Sequence, residues 1–301
     1  LRGVGGDGAP VLGSIGFDAT VTSMFVPLLA GRQVVLLAEG GELEALASLR
    51  RSTRMFSFIK LTPAHLEIFN TILTGTPPPT MTRFLVLGGE ALSGAALQPW
   101  LEHTETRAVN EYGPTETVVG CCTYEITRPS SGVVPIGHPI QGTRLYILDD
   151  QLQLVPPGVP GELYIGGVGL ARGYLGKSGL TAAAFVPDPF AGETDAPGAR
   201  LYKTGDRARY LSDGTLVFLG RIDRQVKLHG FRIELGEIET LLAERPEVQE
   251  AVVLLREDQP GHPRLVAYVS PAQNPAGQVL AVEKLRDDLK SLLPQYMVPS
   301  V

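Results

Sequence analysis

The chain has 301 residues, of which 44% are hydrophobic, and a formal net charge of −6. That apolar content supports a sizeable core and excludes a disordered chain, while the acidic balance argues against a nucleic-acid surface. No run of about 18 apolar residues occurs, so no membrane span is expected. The only two cysteines, Cys121 and Cys122, are adjacent, a spacing that suits neither a structural zinc site nor a disulfide framework. A soluble protein of a reducing, cytoplasmic compartment is expected.

Residues 1–16 are glycine-rich and show neither a helix cap nor a strand start. Phe17-Asp18-Ala19-Thr20 leads a mostly apolar segment to Leu29, and a turn at Gly31 precedes a buried-strand pattern over 34–37. Residues 42–51 read as a helix, with acids in its first turn and arginines in its last, as the helix dipole favours. A strand over 55–59 runs into Lys60, and Pro63 opens a helix to about Leu73. After a loop at 76–79, a strand over 84–87 ends in Gly88-Gly89-Glu90, and 93–102 reads as a helix. Ala108 and Val109 then lead into Gly113-Pro114, a pair that stops a strand and forces a turn. This alternation predicts an α/β fold with a mostly parallel sheet covered on both faces. Ligands bind such sheets at the carboxyl ends of the strands. Asp18, Lys60, Gly88 and Glu111 fall at or near element ends and should line one crevice.

From Val133 the rhythm changes. Residues 145–148 and 152–155 read as a hairpin around Asp149-Asp150, and 161–167 is strand-like and bounded by glycines, predicting an antiparallel, barrel-like region. Residues 220–227 form a charged connection. A helix to about Ala243, strands over 248–255 and 265–269, and a helix over 282–292 then predict a small α+β subdomain. The expected organisation is 1–222 for the large part and 223–301 for the small one.

Asn110-Glu111-Tyr112-Gly113-Pro114-Thr115-Glu116 resembles the nucleotide-binding signature of the adenylation domains of nonribosomal peptide synthetases, members of the acyl-adenylate-forming superfamily with luciferases and acyl-CoA ligases. Five further stretches resemble signatures of the same family in its order: 161–175, Tyr202-Lys203-Thr204-Gly205-Asp206, 220–227, 230–239 and 293–299. The resemblance implies a mobile C-terminal subdomain, with Asp223 at the hinge. It implies ATP and Mg²⁺ as cofactors, with Gly89, Glu90, Asn110, Tyr112, Gly113, Thr115, Asp206 and Arg221 as nucleotide-binding residues. Tyr112 would stack on adenine, Thr115 touch phosphate, and Glu116 help to hold the metal. An ionised Asp206 also suits the two ribose hydroxyls, because a carboxylate offers two acceptor oxygens. The family's phosphate loop and its catalytic-lysine segment have no match in the chain, so an internal fragment, without the catalytic lysine, is expected. The 161–175 segment reads as architecture, its glycines letting strands bend and approach.

Carried over residue by residue, the resemblance makes Asp18, Ala19, Thr22, Lys60, Val86, Gly88, Glu111, Val119 and Gly120 the amino-acid pocket. Asp18 would pair with the substrate's α-ammonium. Lys60 and Glu111 either pair with each other or bridge a polar ligand that accepts from one and donates to the other. A carboxamide does both, and the lining resembles the family's asparagine pattern except for Ala19, where leucine is usual. Aspartate is the rival, disfavoured because two like charges about 4 Å apart cost roughly 4 kcal/mol at an effective dielectric near 20.

The implied activity is ATP-dependent formation of an aminoacyl-adenylate, followed by transfer to the phosphopantetheine of a peptidyl carrier protein among neighbouring synthetase domains. A small MbtH-like activator is a further partner the resemblance admits. A stand-alone amino-acid or acyl-CoA ligase, or a binding remnant without turnover, are the competing classes. His65, His103, His138, His229 and His262 are scattered without ligand spacing and read as structural or solvated. The cysteines read as packing near the nucleotide.

Overall fold

The computed structural model describes residues 5–38, 40–49, 54–73, 78–128, 132–192, 198–228, 230–259, 263–272 and 281–301. It divides into two compact units, Leu1–Ile222 and Asp223–Val301.

The first unit opens with strand β1 (Gly8–Val11), helix α1 (Ala19–Leu29) and strand β2 (Gln33–Leu36), the two strands pairing in parallel. No strand was expected in 1–16. Three of the four β1 residues are fully buried, so the polar–apolar alternation that marks a half-buried strand is absent. Helix α2 (Glu42–Ser48) has the expected acids, Glu42 and Glu44, in its first turn; Arg50 and Arg51 lie outside the described residues.

The central sheet holds five strands in chain order, with helices α3 (Pro63–Ile72) and α4 (Gln98–His103) in its crossovers. Strands β3 (Ile59–Leu61), β4 (Phe84–Gly88) and β5 (Arg107–Tyr112) are parallel, whereas β6 (Cys122–Ile126) and β7 (His138–Pro139) run antiparallel. The expected strand at 55–59 starts only at Ile59. The Phe56 amide bonds Met81 and the Ser57 amide bonds Gly8, so that segment serves two neighbours instead of one ladder. The helix expected at 93–102 splits into a 3₁₀ turn, Gly94–Leu97, and α4, because Pro99 has no N–H to continue one ladder.

Successive side chains of a strand point to opposite faces. Ile59, Leu61, Leu85, Leu87 and Ala108 enter the main core with Leu66, Phe69 and Trp100. Lys60, Val86, Gly88 and Glu111 are one residue out of phase, and their register places them together on the opposite face.

A second, all-antiparallel sheet follows. Its strands are β8 (Thr143–Leu148), β9 (Gly161–Gly167), β10 (Phe185–Pro187), β11 (Arg200–Tyr210) and β12 (Leu216–Arg221), with helix α5 (Ser178–Ala184) before β10. The expected 145–155 hairpin forms its turn, with Asp149 accepting from the Gln151 and Gln153 amides at 2.9 Å. Its second arm makes an isolated bridge, Leu148–Leu154, and two amide bonds, Asp149 to Gln153 and Val155 to Ile147, without becoming a strand. Pro156 and Pro157 end that arm, and β9 takes the full length of β8.

The second unit pairs β13 (Val226–Leu228) with β14 (Phe231–Ile233), then sets α6 (Leu235–Ala243) and α7 (Val282–Leu292) in one core with the hairpin of β15 (Val248–Arg256) and β16 (Arg264–Pro271). The α/β class, the antiparallel region and the small α+β part are those expected. Among the described residues no helix is long and apolar enough to cross a membrane.

Candidate active site

Parallel strands present their carboxyl ends at one edge, and β3, β4 and β5 bring Lys60, Gly88 and Glu111 there. The Lys60 ammonium forms an ion pair with the Glu111 carboxylate, their side chains only 6% and 15% exposed. Lys60 Nζ also donates to Thr22 Oγ1 at 3.1 Å. Val86 is the register partner of Lys60.

Thr22 lies one helical turn after Asp18, so both lie on one side of α1. An N-terminal Asp ordinarily caps its helix. Asp18 occupies the N-cap but makes no side-chain cap bond, and its carboxylate accepts the Thr115 hydroxyl at 2.5 Å. Ala19, the first residue of α1, is half-buried beside it.

Two glycines make room for Glu111. A Cβ on Gly88 would lie 2.7 Å from the Glu111 carbonyl oxygen, and one on Gly120 2.5 Å from its carboxylate carbon. Before Gly120, Val118 (φ 66°) and Val119 (φ 49°) hold left-handed backbone. That conformation strains a β-branched residue by about 1–3 kcal/mol and collects at functional sites. The structure therefore gathers Thr22, Lys60, Val86, Gly88, Glu111 and Gly120 at the strand ends, with Asp18 and Ala19 at the start of the helix that carries Thr22 and Val119 next to Gly120.

The expected nucleotide residues are distributed differently. Gly89 and Glu90 follow β4, and Glu90 accepts the Ala64 amide at the start of α3, 3.2 Å away. Asn110 is buried and donates to the Pro135 carbonyl at 2.8 Å. Tyr112 is 7% exposed and donates its hydroxyl to Asp206. Burial, then the Asp206 charge, raise its hydroxyl well above the usual tyrosine range. Gly113 and Pro114 turn the chain towards Thr115. Asp206 lies inside β11, at a register shift between Lys203 and Arg207, so the Thr204-Gly205 turn is a bulge in a continuous strand. Arg221, its register partner in β12, bonds its other oxygen at 2.6 Å. A carboxylate has about four lone-pair directions, so both contacts leave acceptor capacity for ribose hydroxyls.

Glu116 sits in a 3₁₀ turn, Thr115–Thr117, after β5. Among the described residues no group of three or more His, Cys, Asp or Glu stands ready to hold a metal. A single carboxylate still fits Mg²⁺, which binds through one or two carboxylates plus substrate phosphates. Tyr174 bonds that carboxylate, a contact hidden in a stretch that reads as architecture. Asp223 is the first residue of the second unit and accepts the Gln225 amide at 3.1 Å.

Cys121 and Cys122 are both buried and unlinked. Burial pushes the Cys121 thiol up to about 12 and raises that of Cys122 further, which suits packing and not reactivity. His229 and His262 lie outside the described residues.

The description "AMP-binding enzyme" matches residues 6–175, and "AMP-binding enzyme C-terminal domain" matches 237–301. The chain belongs to the AMP-binding enzyme family. It is 41% identical over 289 residues to a dimodular nonribosomal peptide synthase of Bacillus subtilis (strain 168), covering 95% of this chain and 12% of that protein. It is 40% identical over 297 residues to tyrocidine synthase 3 of Brevibacillus parabrevis, covering 97% and 4%. An artificially fused adenylation–PCP di-domain NRPS from Klebsiella oxytoca shares the fold with a TM-score of 0.81 at 27% identity, over 98% of this chain and 53% of that one. These similarities agree with the motif resemblance to adenylation domains. The chain spans about an eighth or less of both curated relatives.

Proposed function

We propose that this chain is part of a protein that activates an amino acid with ATP and delivers it to a carrier protein, and that the chain alone is inactive. The substrate carboxylate attacks the α-phosphorus of ATP and pyrophosphate leaves, forming an aminoacyl-adenylate. A phosphopantetheine thiol then attacks the acyl carbon and AMP leaves. Asp18 pairs with the α-ammonium, Thr115 meets phosphate, and Asp206 with Arg221 holds the ribose. Mg²⁺ carried by Glu116 would offset phosphate charge. Positioning and charge stabilisation supply most of the acceleration. Similarity to an adenylation–PCP fusion supports the carrier as partner. Asp223 would serve as hinge between 1–222 and 223–301.

Asparagine is the proposed substrate, and the Lys60–Glu111 pair carries that reading. The pair is neutral as a whole and nearly sealed from water. A carboxamide inserted between its members accepts from Lys60, donates to Glu111 and leaves the charge balanced. An aspartate side chain would leave a net negative charge in a desolvated site, which is costly.

The test is amino-acid-dependent exchange of radiolabelled pyrophosphate into ATP, with the full-length protein and each proteinogenic amino acid. Asparagine should give the highest kcat/KM. Preference for an apolar amino acid overturns the asparagine reading. Acylation of free coenzyme A without amino-acid-dependent exchange overturns amino-acid activation.

A further inference from the structure

The segment between β9 and α5 approaches Glu116 twice. The Ala171 amide donates to the Glu116 carbonyl at 2.8 Å, and the Tyr174 hydroxyl donates to Glu116 Oε1 at 2.7 Å. Backbone and carboxylate of one residue are thus gripped by one short stretch, 58 residues further along the chain.

That stretch is itself held from three sides. Arg200 donates to the Ala171 and Arg172 carbonyls, both at 3.1 Å. The Tyr174 amide donates to Thr181 Oγ1 on α5 at 2.9 Å. The Tyr174 ring meets Phe185 edge-on, with centroids 5.8 Å apart, and the Arg200 guanidinium lies 5.1 Å over that same Phe185 ring.

We infer that Tyr174 is a positioning residue for the metal-carrying carboxylate, fixing the direction in which Glu116 offers its remaining lone pairs. The inference rests on the reading of Glu116 as a Mg²⁺ ligand. A glutamate has three rotatable side-chain bonds, and a lone flexible carboxylate is a poor partner for an ion that demands near-octahedral geometry. A neutral hydroxyl on one oxygen fixes the rotamer without cancelling the negative charge. Outer groups of this kind typically change metal affinity by about 10–100-fold when removed.

The test uses Tyr174→Phe, Glu116→Gln and the double variant in the full-length protein. Calorimetric titration of ATP over a series of Mg²⁺ concentrations gives a binding readout separate from turnover, and exchange assays give KM for ATP and for the amino acid. Tyr174→Phe should raise the half-saturating Mg²⁺ concentration about tenfold, leave the amino-acid KM unchanged, and have no effect in the Glu116→Gln background. No shift, or an equal shift in that background, overturns the inference. If Glu116→Gln leaves Mg²⁺ dependence unchanged, the metal reading fails and the inference falls with it. If Glu116→Gln acts and Tyr174→Phe does not, only the inference fails. Should Tyr174→Phe fold poorly, Thr181→Val removes the hydroxyl that holds the Tyr174 amide and must shift Mg²⁺ dependence in the same direction; an unchanged dependence overturns the inference.

Discussion

Tyr112 in β5 donates its hydroxyl to the buried carboxylate of Asp206 in β11, 94 residues later in the chain. One hydrogen bond thereby ties the mixed sheet to the antiparallel one. Arg221 closes the group from β12, its side chain 11% exposed against 4% for Asp206. Removing one member leaves a buried charge short of a partner. Tyr112→Phe should therefore destabilise the protein by about 1.5–3 kcal/mol, the usual worth of a bond to a charged group. The calorimetric Tm of the large unit should fall by about 2–4 °C for each kcal/mol. An unchanged Tm means that water replaces the phenol without cost.

Alkaline pH should unfold this protein progressively. The Cys121 thiol rises from 9.0 to about 12 and the Tyr210 hydroxyl from 10.0 to about 12, both first because of burial. Both groups are neutral acids that hold their protons more tightly when folded. Their stabilising contribution is complete below pH 9 for Cys121 and below pH 10 for Tyr210, and is lost as pH climbs towards 12. Each group should add a slope of about 1.4 kcal/mol per pH unit within its window. Urea unfolding at a series of pH values measures it. Cys121→Ala should remove about one proton's worth of slope between pH 9 and 10, and an unaltered slope refutes the assignment.

Asp206→Ala in the full-length protein should raise the apparent KM for ATP tenfold or more. The estimate follows from the loss of charge-assisted hydrogen bonds to ribose, each worth roughly 1.5–3 kcal/mol. An unchanged KM and kcat would make Asp206 a purely structural anchor for Tyr112 and Arg221.

Selectivity should follow the charge at position 111. Glu111→His removes a carboxylate and supplies a donor, so kcat/KM for aspartate should rise while that for asparagine falls, with the discrimination changing by a few kcal/mol at most. Glu111→Ala should relax the preference without reversing it, leaving Lys60 as the remaining charged reader. Exchange kinetics with both amino acids across the three proteins decide the matter. A native preference for aspartate would require Glu111 to be turned away from the substrate side chain.

Much of this site was legible in the sequence because strand ends are easy to read. Gly88 before Gly89 and Glu111 before Gly113-Pro114 announce where a sheet stops, and a parallel sheet gathers such stops at one edge; Lys60, expected just past a strand, is instead the middle residue of β3. Strand β1 was not legible, since a strand of Gly, Ala, Pro and Val with three of its four residues buried carries no alternation. The sequence did not show that Lys60 and Glu111 meet; the register of β3, β4 and β5 sets them on one face, where they form an ion pair. Tyr174 was invisible for another reason. Its partner is 58 residues away, and nothing local to 161–175 distinguishes a tyrosine that packs from one that also holds a carboxylate.

The alternation within β5 has a consequence for how such a protein changes over time. Asn110 and Tyr112 face the side that carries Pro135 and Asp206, while Glu111 between them faces Lys60. On the proposed reading of the pocket, point substitutions at Glu111, Val86 or Lys60 would revise which small molecule is accepted and leave the residues behind the sheet in place. Inserting or deleting one residue would exchange the two sets of side chains, destroying both at once. Diversification of this strand is open to replacement and closed to changes of length.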